Sequence, residues 1–283
     1  MTTTHTTMDQ RHLSPGNSFI ELRARDRAFS LLDQNRGVEL LGPFDRLESR
    51  WLEDQGIVAQ ADDGCVIVLG AVGGKSALII AIEGAFQGGS IGETSGMKIA
   101  HALKLAHMDC EAGTETAAIL LLESGGVRLQ EANLGLAAIA EIHDAIVTLK
   151  QHVPVVAVIA GMTGCFGGMS IAAGLCTHLI MTRQGRLGLN GPEVIEQEAG
   201  IQEIDSRNRQ IVWRIFGGSQ RYEMGFIDTL VDDDIRQINQ SIRHILSRPY
   251  TAKPLSLCLE RYQKRLSRIN VPARFDYLPS ASE

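Results

Sequence analysis

The sequence predicts an α/β fold. Runs of aliphatic residues typical of buried strands alternate along the chain with segments whose apolar residues have helical spacing. Several strands end in a Gly-rich loop that leads directly into a helix, an arrangement that places ligand groups at the strand ends. Because no low-complexity linker follows residue 45, we expect an N-terminal tail and helix at 1–45 and one compact domain at 46–283.

The first third of the chain predicts two helices and a β-hairpin. After a polar tail, residues 25–34 (RDRAFSLLDQ) and 44–56 (FDRLESRWLEDQG) have helical spacing. Residues 65–74 (CVIVLGAVGG) and 75–86 (KSALIIAIEGAF) are two β runs joined by a Gly-Gly-Lys turn.

The middle of the chain predicts two helix–strand pairs. Residues 93–110 have helical spacing and lead into the strand TAAILLLES at 116–124. A helix of about six turns is expected at 130–152, and VPVVAVIAG at 153–161 is typical of another buried strand.

The remaining elements continue the alternation. Residues 162–175 predict a Gly-rich loop entering a helix, and 177–191 predict two short strands. A helix is expected at 192–200, with Pro192 at its first position. Helices fill most of the rest, interrupted by strand-like residues at 225–231.

Composition narrows the class of protein. The chain is 44% hydrophobic and 21% charged, which is typical of a globular protein, and its net charge of −6 argues against a nucleic-acid binder. No secretory signal or membrane-spanning run is predicted. The five cysteines are scattered and form no CxxC pair, and the histidines lack metal-site spacing. We therefore expect reduced thiols, a cytoplasmic location and no metal.

Two Gly-rich motifs, at 123–132 (ESGGVRLQEA) and 161–174 (GMTGCFGGMSIAAG), each lie between a predicted strand and a helix N-terminus. Backbone N–H groups at such a position point outward, and the helix dipole favours negative charge. Either the loops bind an oxyanion, or the glycines only allow a turn or close helix packing.

Five segments in register carry a family resemblance: 86–96 (FQGGSIGETSG), the two glycine motifs, 185–200 (GRLGLNGPEVIEQEAG) and 216–234. They resemble the successive motifs of the carboxyltransferase β subunit of acetyl-CoA carboxylase. Within that superfamily the chain is most similar to the β subunit of biotin-independent malonate decarboxylase. The resemblance implies a crotonase-like (ClpP/crotonase) fold of carboxyltransferase type, with stacked ββα units.

The resemblance also implies an activity and partners. A malonyl thioester on an acyl carrier protein would be decarboxylated to the acetyl thioester and CO2 through an enolate held by a backbone oxyanion hole. This chain would bind no cofactor itself, since the phosphoribosyl-dephospho-CoA prosthetic group belongs to the acyl carrier protein. The other expected partners are a second crotonase-like subunit (γ) and an acyltransferase subunit.

The crotonase pattern assigns candidate catalytic residues in the two loops. It places the first N–H donor at Gly126, beside Gly125 and Val127, and the second at Gly167 or Gly168. Each such donor is worth about 2.7–4 kcal/mol in other oxyanion holes.

Substrate-binding candidates follow from the same register. Gly89 and Ser90 match the family segment near the pantetheine arm. Arg128 either binds the malonyl carboxylate or a carrier phosphate, or forms a surface ion pair with Glu131. Ser170 stands where enoyl-CoA hydratases carry a catalytic carboxylate, so hydration is not expected; its hydroxyl either binds substrate or caps its helix.

Two departures from the wider family bear on the choice of function. No four-cysteine zinc module can be built, unlike in the bacterial acetyl-CoA carboxylase subunit. Glu193 stands where the acetyl-CoA carboxylase relatives usually have Arg, so no role is assigned to it. Two alternatives stay open: a carboxyltransferase β subunit of a biotin-dependent enzyme, and a non-catalytic scaffold subunit.

Overall fold

The computed structural model describes residues 9–10, 17–49, 53–56, 64–131, 133–253 and 255–267. Within these residues one sheet contains eight strands in sequential order. The strands β1 to β8 are Asp9–Gln10, Arg36–Leu41, Cys65–Val72, Lys75–Ile82, Ala117–Leu121, Val155–Ile159, His178–Thr182 and Thr229–Val231. Strands β1 to β4 are antiparallel neighbours, whereas β4 to β8 run parallel.

Nine α-helices lie within the described residues, on both faces of this sheet. Helices α1 to α9 are Ala24–Leu31, Glu93–Glu111, Asn133–Leu149, Gly167–Leu175, Pro192–Ala199, Arg209–Phe216, Gly218–Glu223, Ile235–Leu246 and Leu255–Leu266. One buried apolar cluster joins the sheet to α2, α3 and α4, and a second joins the opposite face to α1 and α8. The α/β class expected from the sequence is confirmed, and both cores are built by alternate residues of the same strands.

The predicted hairpin is confirmed as β3 and β4. Its two-residue loop consists of Gly73 and Gly74, with φ of +62° and +74°, a left-handed pair that glycine adopts without steric cost. The Asp33 carboxylate accepts hydrogen bonds from both glycine N–H groups, at 3.0 and 2.8 Å.

The N-terminal segment belongs to the same sheet and core as the rest. The helix expected at 25–34 is observed as α1, and β2 pairs with β3 in antiparallel register. Residues 24–41 are thus part of the domain, whereas the sequence prediction placed the start of the domain at residue 46.

Two local predictions are wrong. Residues 44–49 of the helix expected at 44–56 form no α-helix, because the 3-10 turn at Pro43–Asp45 ends at Arg46, whose φ of +51° is left-handed. Residues 50–52 lie outside the described part of the chain, and Glu53–Gln55 form only another 3-10 turn. Only one strand, β7, forms within 177–191. Residues 183–191 pair through single bridges at Arg186 and Leu187 instead of continuing a ladder.

Candidate active site

Four loops, which follow β4, β5, β6 and β7, meet at the carboxyl ends of the parallel strands. Single parallel bridges link Ile91 to Val127, Ser124 to Cys165, and Cys165 to Leu187. They form a small second layer that crosses from one strand-to-helix connection to the next. This layer fixes the first glycine loop, which follows β5, against the second, which follows β6.

The two glycine loops touch at Gly126 and Gly167. A Cβ atom on Gly126 would lie 3.3 Å from the Gly167 Cα, and one on Gly167 would lie 3.1 Å from the Gly126 Cα. Both residues have positive φ, +112° and +59° respectively. Glycine is required here both for the backbone conformation and for the close approach.

Two of the four predicted donor residues donate their N–H groups to backbone carbonyls within the fold. The Gly125 N–H donates to the Gly88 carbonyl at 2.8 Å, and the Gly167 N–H donates to the Leu189 carbonyl at 2.7 Å. Each residue would have to break a backbone hydrogen bond before it could donate to a substrate.

Other N–H groups in the same loops are available. Those of Val127 and Gly168 have no hydrogen-bond partner among the described residues, and Gly168 lies in the first turn of α4, where N–H groups lack intrahelical acceptors. The Gly126 N–H donates to the Ser124 hydroxyl at 3.2 Å, a longer hydrogen bond than those that Gly125 and Gly167 donate to backbone carbonyls. The geometry therefore favours Gly168 over Gly167 as the second donor, and Gly126 or Val127 over Gly125 as the first.

Arg128 is buried rather than at the surface. It is 3% exposed, and its Nη1 donates to Glu131 Oε1 at 2.9 Å. Its Nη2 donates to the Ser90 carbonyl at 3.1 Å, and its Nε contacts the Ser90 hydroxyl at 3.3 Å. The expected ion pair with Glu131 forms, but inside the protein. Because each of its three nitrogens has a partner within the protein, Arg128 holds the loops together; its binding of a substrate anion stays a prediction.

The remaining candidates have structural contacts as well. Gly89 is buried, and a Cβ atom there would lie 1.9 Å from the Glu123 carbonyl oxygen, so only glycine fits. The Ser170 hydroxyl donates to the Gly167 carbonyl at 2.7 Å within its own helix. Ser170 does not cap this helix, whose N-cap residue is Phe166; its binding of substrate stays a prediction.

A buried ion pair that the sequence prediction missed supports both loops. Arg27 of α1 pairs with Glu123, the first residue of the first glycine motif, and their side chains are 8% and 10% exposed. Glu123 Oε1 also accepts from the Thr163 N–H at 3.4 Å, in the second loop. A Cβ atom on Gly161 would lie 1.6 Å from that oxygen. An acidic residue at the end of the apolar strand at 117–121 was the only sequence signal of this contact.

The cysteines near the second loop are protonated. Burial raises the pKa of Cys176 to about 12. Burial is also the main cause of the raised pKa of Cys165, and the neighbouring Cys176 raises that pKa further. Neither thiol is suited to nucleophilic chemistry near neutral pH, because the thiolate is the reactive form.

We expect iodoacetamide at pH 8 to leave Cys165 and Cys176 unmodified in the native protein, with full activity retained. Peptide mass spectrometry measures the labelling, and the urea-unfolded chain, in which all five cysteines react, is the control. Fast labelling of Cys165 with loss of activity would contradict a purely structural role.

No cluster of three His, Cys, Asp or Glu side chains able to hold a metal ion is found in the described part of the chain. Across the same residues, no helix has the length and apolar character needed to cross a bilayer.

Comparisons with known proteins agree with this architecture. The model of the carboxyl transferase domain family matches residues 24–257. The chain is 40% identical to the malonyl-S-ACP:biotin-protein carboxyltransferase of Malonomonas rubra over 242 residues, covering 82% of this chain and 76% of that protein.

Solved structures give the same result. A chain of a Pseudomonas malonate decarboxylase hetero-tetramer, crystallised with malonate, is 56% identical with a TM-score of 0.82, and the match covers 90% of this chain and 92% of that one. A transcarboxylase 12S chain is 27% identical with a TM-score of 0.65, covering 80% of this chain but only 41% of its own length. The fold is thus the crotonase-like fold of carboxyltransferases, and the chain belongs to the carboxyl transferase domain family.

Proposed function

We propose that the chain is the β subunit of a malonate decarboxylase and that it decarboxylates a malonyl thioester held on an acyl carrier protein. The observation that carries this proposal is the 56% identity over nine-tenths of the chain to a malonate decarboxylase component, combined with two facing glycine loops. The identity supports the substrate class, and the loops support the chemistry.

The reaction follows from where negative charge develops. The bond between the malonyl carboxylate and Cα breaks, its electron pair forms an enolate on the thioester oxygen, and CO2 leaves. N–H donors fixed in advance by the fold stabilise that oxygen without reorganising during the reaction. Gly126 or Val127 and Gly168 supply these donors in our proposal. A proton from water or from a partner side chain then reaches Cα.

The partners in this proposal are a γ subunit with a related fold, the acyl carrier protein with its phosphoribosyl-dephospho-CoA group, and an acyltransferase. Large apolar side chains around the glycine loops support a protein partner: Leu129 is 80% exposed, Leu189 is 61% exposed and Ile171 is 48% exposed. Apolar groups gathered around a functional loop are typical of an interaction surface.

A second function is favoured by the Malonomonas relative, which by name transfers a carboxyl group from malonyl-S-ACP to a biotin protein. It would use the same enolate but hand the carboxyl group to biotin. The two functions would use the same site and would differ in the fate of the carboxyl group, which is released as CO2 in one and transferred to biotin in the other.

The deciding experiment is CO2 release from a malonyl thioester by the chain co-purified with the subunit encoded beside it, with and without avidin. Decarboxylation predicts release that avidin does not affect. Release that requires a biotinylated acceptor would identify a carboxyltransferase instead. If a complex that assembles normally shows neither CO2 release nor carboxyl transfer, the chain is a non-catalytic scaffold subunit.

A further inference from the structure

A pocket of about 260 Å³ lies beside the second glycine loop, outside the site described above. Three arginines line it, Arg186, Arg207 and Arg209, together with Ser206 and Trp213. The Arg186 guanidinium lies over the Trp213 ring, 5.6 Å from its centroid. The pocket thus combines three positive groups, a hydroxyl and an aromatic face.

The positive charges in this pocket are not neutralised by ion pairs. None of the three guanidinium groups lies within salt-bridge distance of a carboxylate in the described residues, and the buried Nε of Arg186 has no hydrogen-bond partner there. Burial lowers the pKa of Arg186, Glu193 opposes that shift, and Arg209 adds to it. Arg186 is partly buried, whereas Arg207 and Arg209 are exposed, so the desolvation cost falls on Arg186, and an anionic ligand would recover it.

Three carboxylates are near, and two are engaged with backbone groups. Glu196 Oε2 accepts from the Ser206 N–H at 2.8 Å, and Asp205 Oδ1 accepts from the Arg207 N–H at 3.0 Å. Glu193 is exposed in the first turn of α5. These acids shape the rim, but none of them forms a salt bridge with the three guanidinium groups within the described residues.

We propose that this pocket binds a phosphate group. Guanidinium groups bind phosphate through paired hydrogen bonds, and a phosphate offers more acceptor oxygens to three arginines than a single carboxylate does. The Ser206 side chain is hydrogen-bonded to Glu196, so the arginines are the ligands for the phosphate, and Trp213 presents a flat apolar surface beside them.

The pocket is joined to the second glycine loop through Arg186. Its Nη2 donates to the Met162 carbonyl, and its own carbonyl accepts from the Cys165 N–H at 2.8 Å. A phosphate bound here would therefore fix the loop that carries Gly167 and Gly168. The phosphate has two potential sources: the CoA-like arm of the carrier, which rests on the proposed function, or a free phosphate compound.

The test is isothermal titration calorimetry with inorganic phosphate and, separately, with CoA, on the full chain alone and on its complex with the γ subunit. The variants are Arg186→Gln and the exposed pair Arg207→Gln/Arg209→Gln. Arg236→Gln, which removes one exposed arginine from α8 on the opposite face of the sheet, is the matched control.

We expect saturable phosphate binding that weakens about tenfold or more in both pocket variants and remains unchanged in Arg236→Gln. CoA that competes with phosphate and shows the same losses identifies the carrier arm; phosphate binding without competition by CoA identifies a free ligand. Absent binding, equal weakening in Arg236→Gln, or binding that disappears in the complex would overturn the proposal. These titrations need no turnover, so their failure is distinct from failure of the decarboxylase proposal.

Discussion

Replacing Gly126 by alanine keeps the backbone N–H but displaces it from the oxyanion position, and is expected to lower kcat for decarboxylation by about 10²–10³, as much as the loss of one oxyanion donor. The added Cβ atom would lie 3.3 Å from the Gly167 Cα and 3.4 Å from the Phe166 carbonyl oxygen, which pushes the two glycine loops apart. The φ of +112° adds backbone strain of about 1–3 kcal/mol for a residue with a side chain. Steady-state kinetics on the purified complex measures the effect.

Gly174→Ala is the matched control for this substitution. Gly174 lies in the last turn of α4, is exposed, and has no atom within 4 Å of an added Cβ. We expect full activity and a small gain in stability, because alanine is favoured over glycine in helices by about 1 kcal/mol. If Gly126→Ala retained wild-type kcat with its melting temperature unchanged, the facing glycines would have no part in the chemistry.

Replacing Arg27 by methionine is expected to destabilise the fold by about 3–5 kcal/mol, because it leaves the Glu123 carboxylate buried without its partner. The double variant Arg27→Met/Glu123→Gln should recover part of this loss. Because Glu123 also contacts the second loop at Thr163, kcat of Arg27→Met should fall even at temperatures at which this variant remains folded. Urea unfolding gives the free energies, and kinetics at low temperature gives the activity.

Arg183→Met is the control for charge removal. Arg183 pairs with Asp232 at 2.8 Å, but both side chains are about 60% exposed, and such surface pairs contribute only about 0–1 kcal/mol. If the free energies of unfolding of Arg27→Met and Arg183→Met differed by less than about 1 kcal/mol, the buried pair would not be what holds the loops in place.

The sheet could be predicted from the sequence because its signals are local. The hairpin needs only two aliphatic runs and the pair Gly73–Gly74. The parallel strands β5 and β6 are short apolar runs, each followed by a glycine loop. The helix expected at 44–56 failed because helical spacing does not reveal a left-handed residue such as Arg46. The pattern of apolar residues specifies burial, whereas the end of a turn depends on individual φ angles.

The site could be predicted only to the level of its loops. The glycine motifs mark where backbone N–H groups are exposed, but which N–H remains unpaired depends on distant acceptors, such as Leu189 for Gly167. Burial of Arg128 depends likewise on Ser90, 38 residues earlier in the chain. The pairing of Arg27 with Glu123 spans 96 residues and has no local signal beyond one acid at a strand end.

The most direct measurement of the central claim is the carbonyl stretching frequency of an acetyl thioester, labelled with ¹³C at the carbonyl and bound to the complex. Two N–H donors from the facing glycine loops would polarise the C=O bond, so we predict a lower frequency than in water and a return toward the solution value in Gly126→Ala. A bound thioester with the solution frequency in the wild-type complex would contradict an oxyanion hole in these loops.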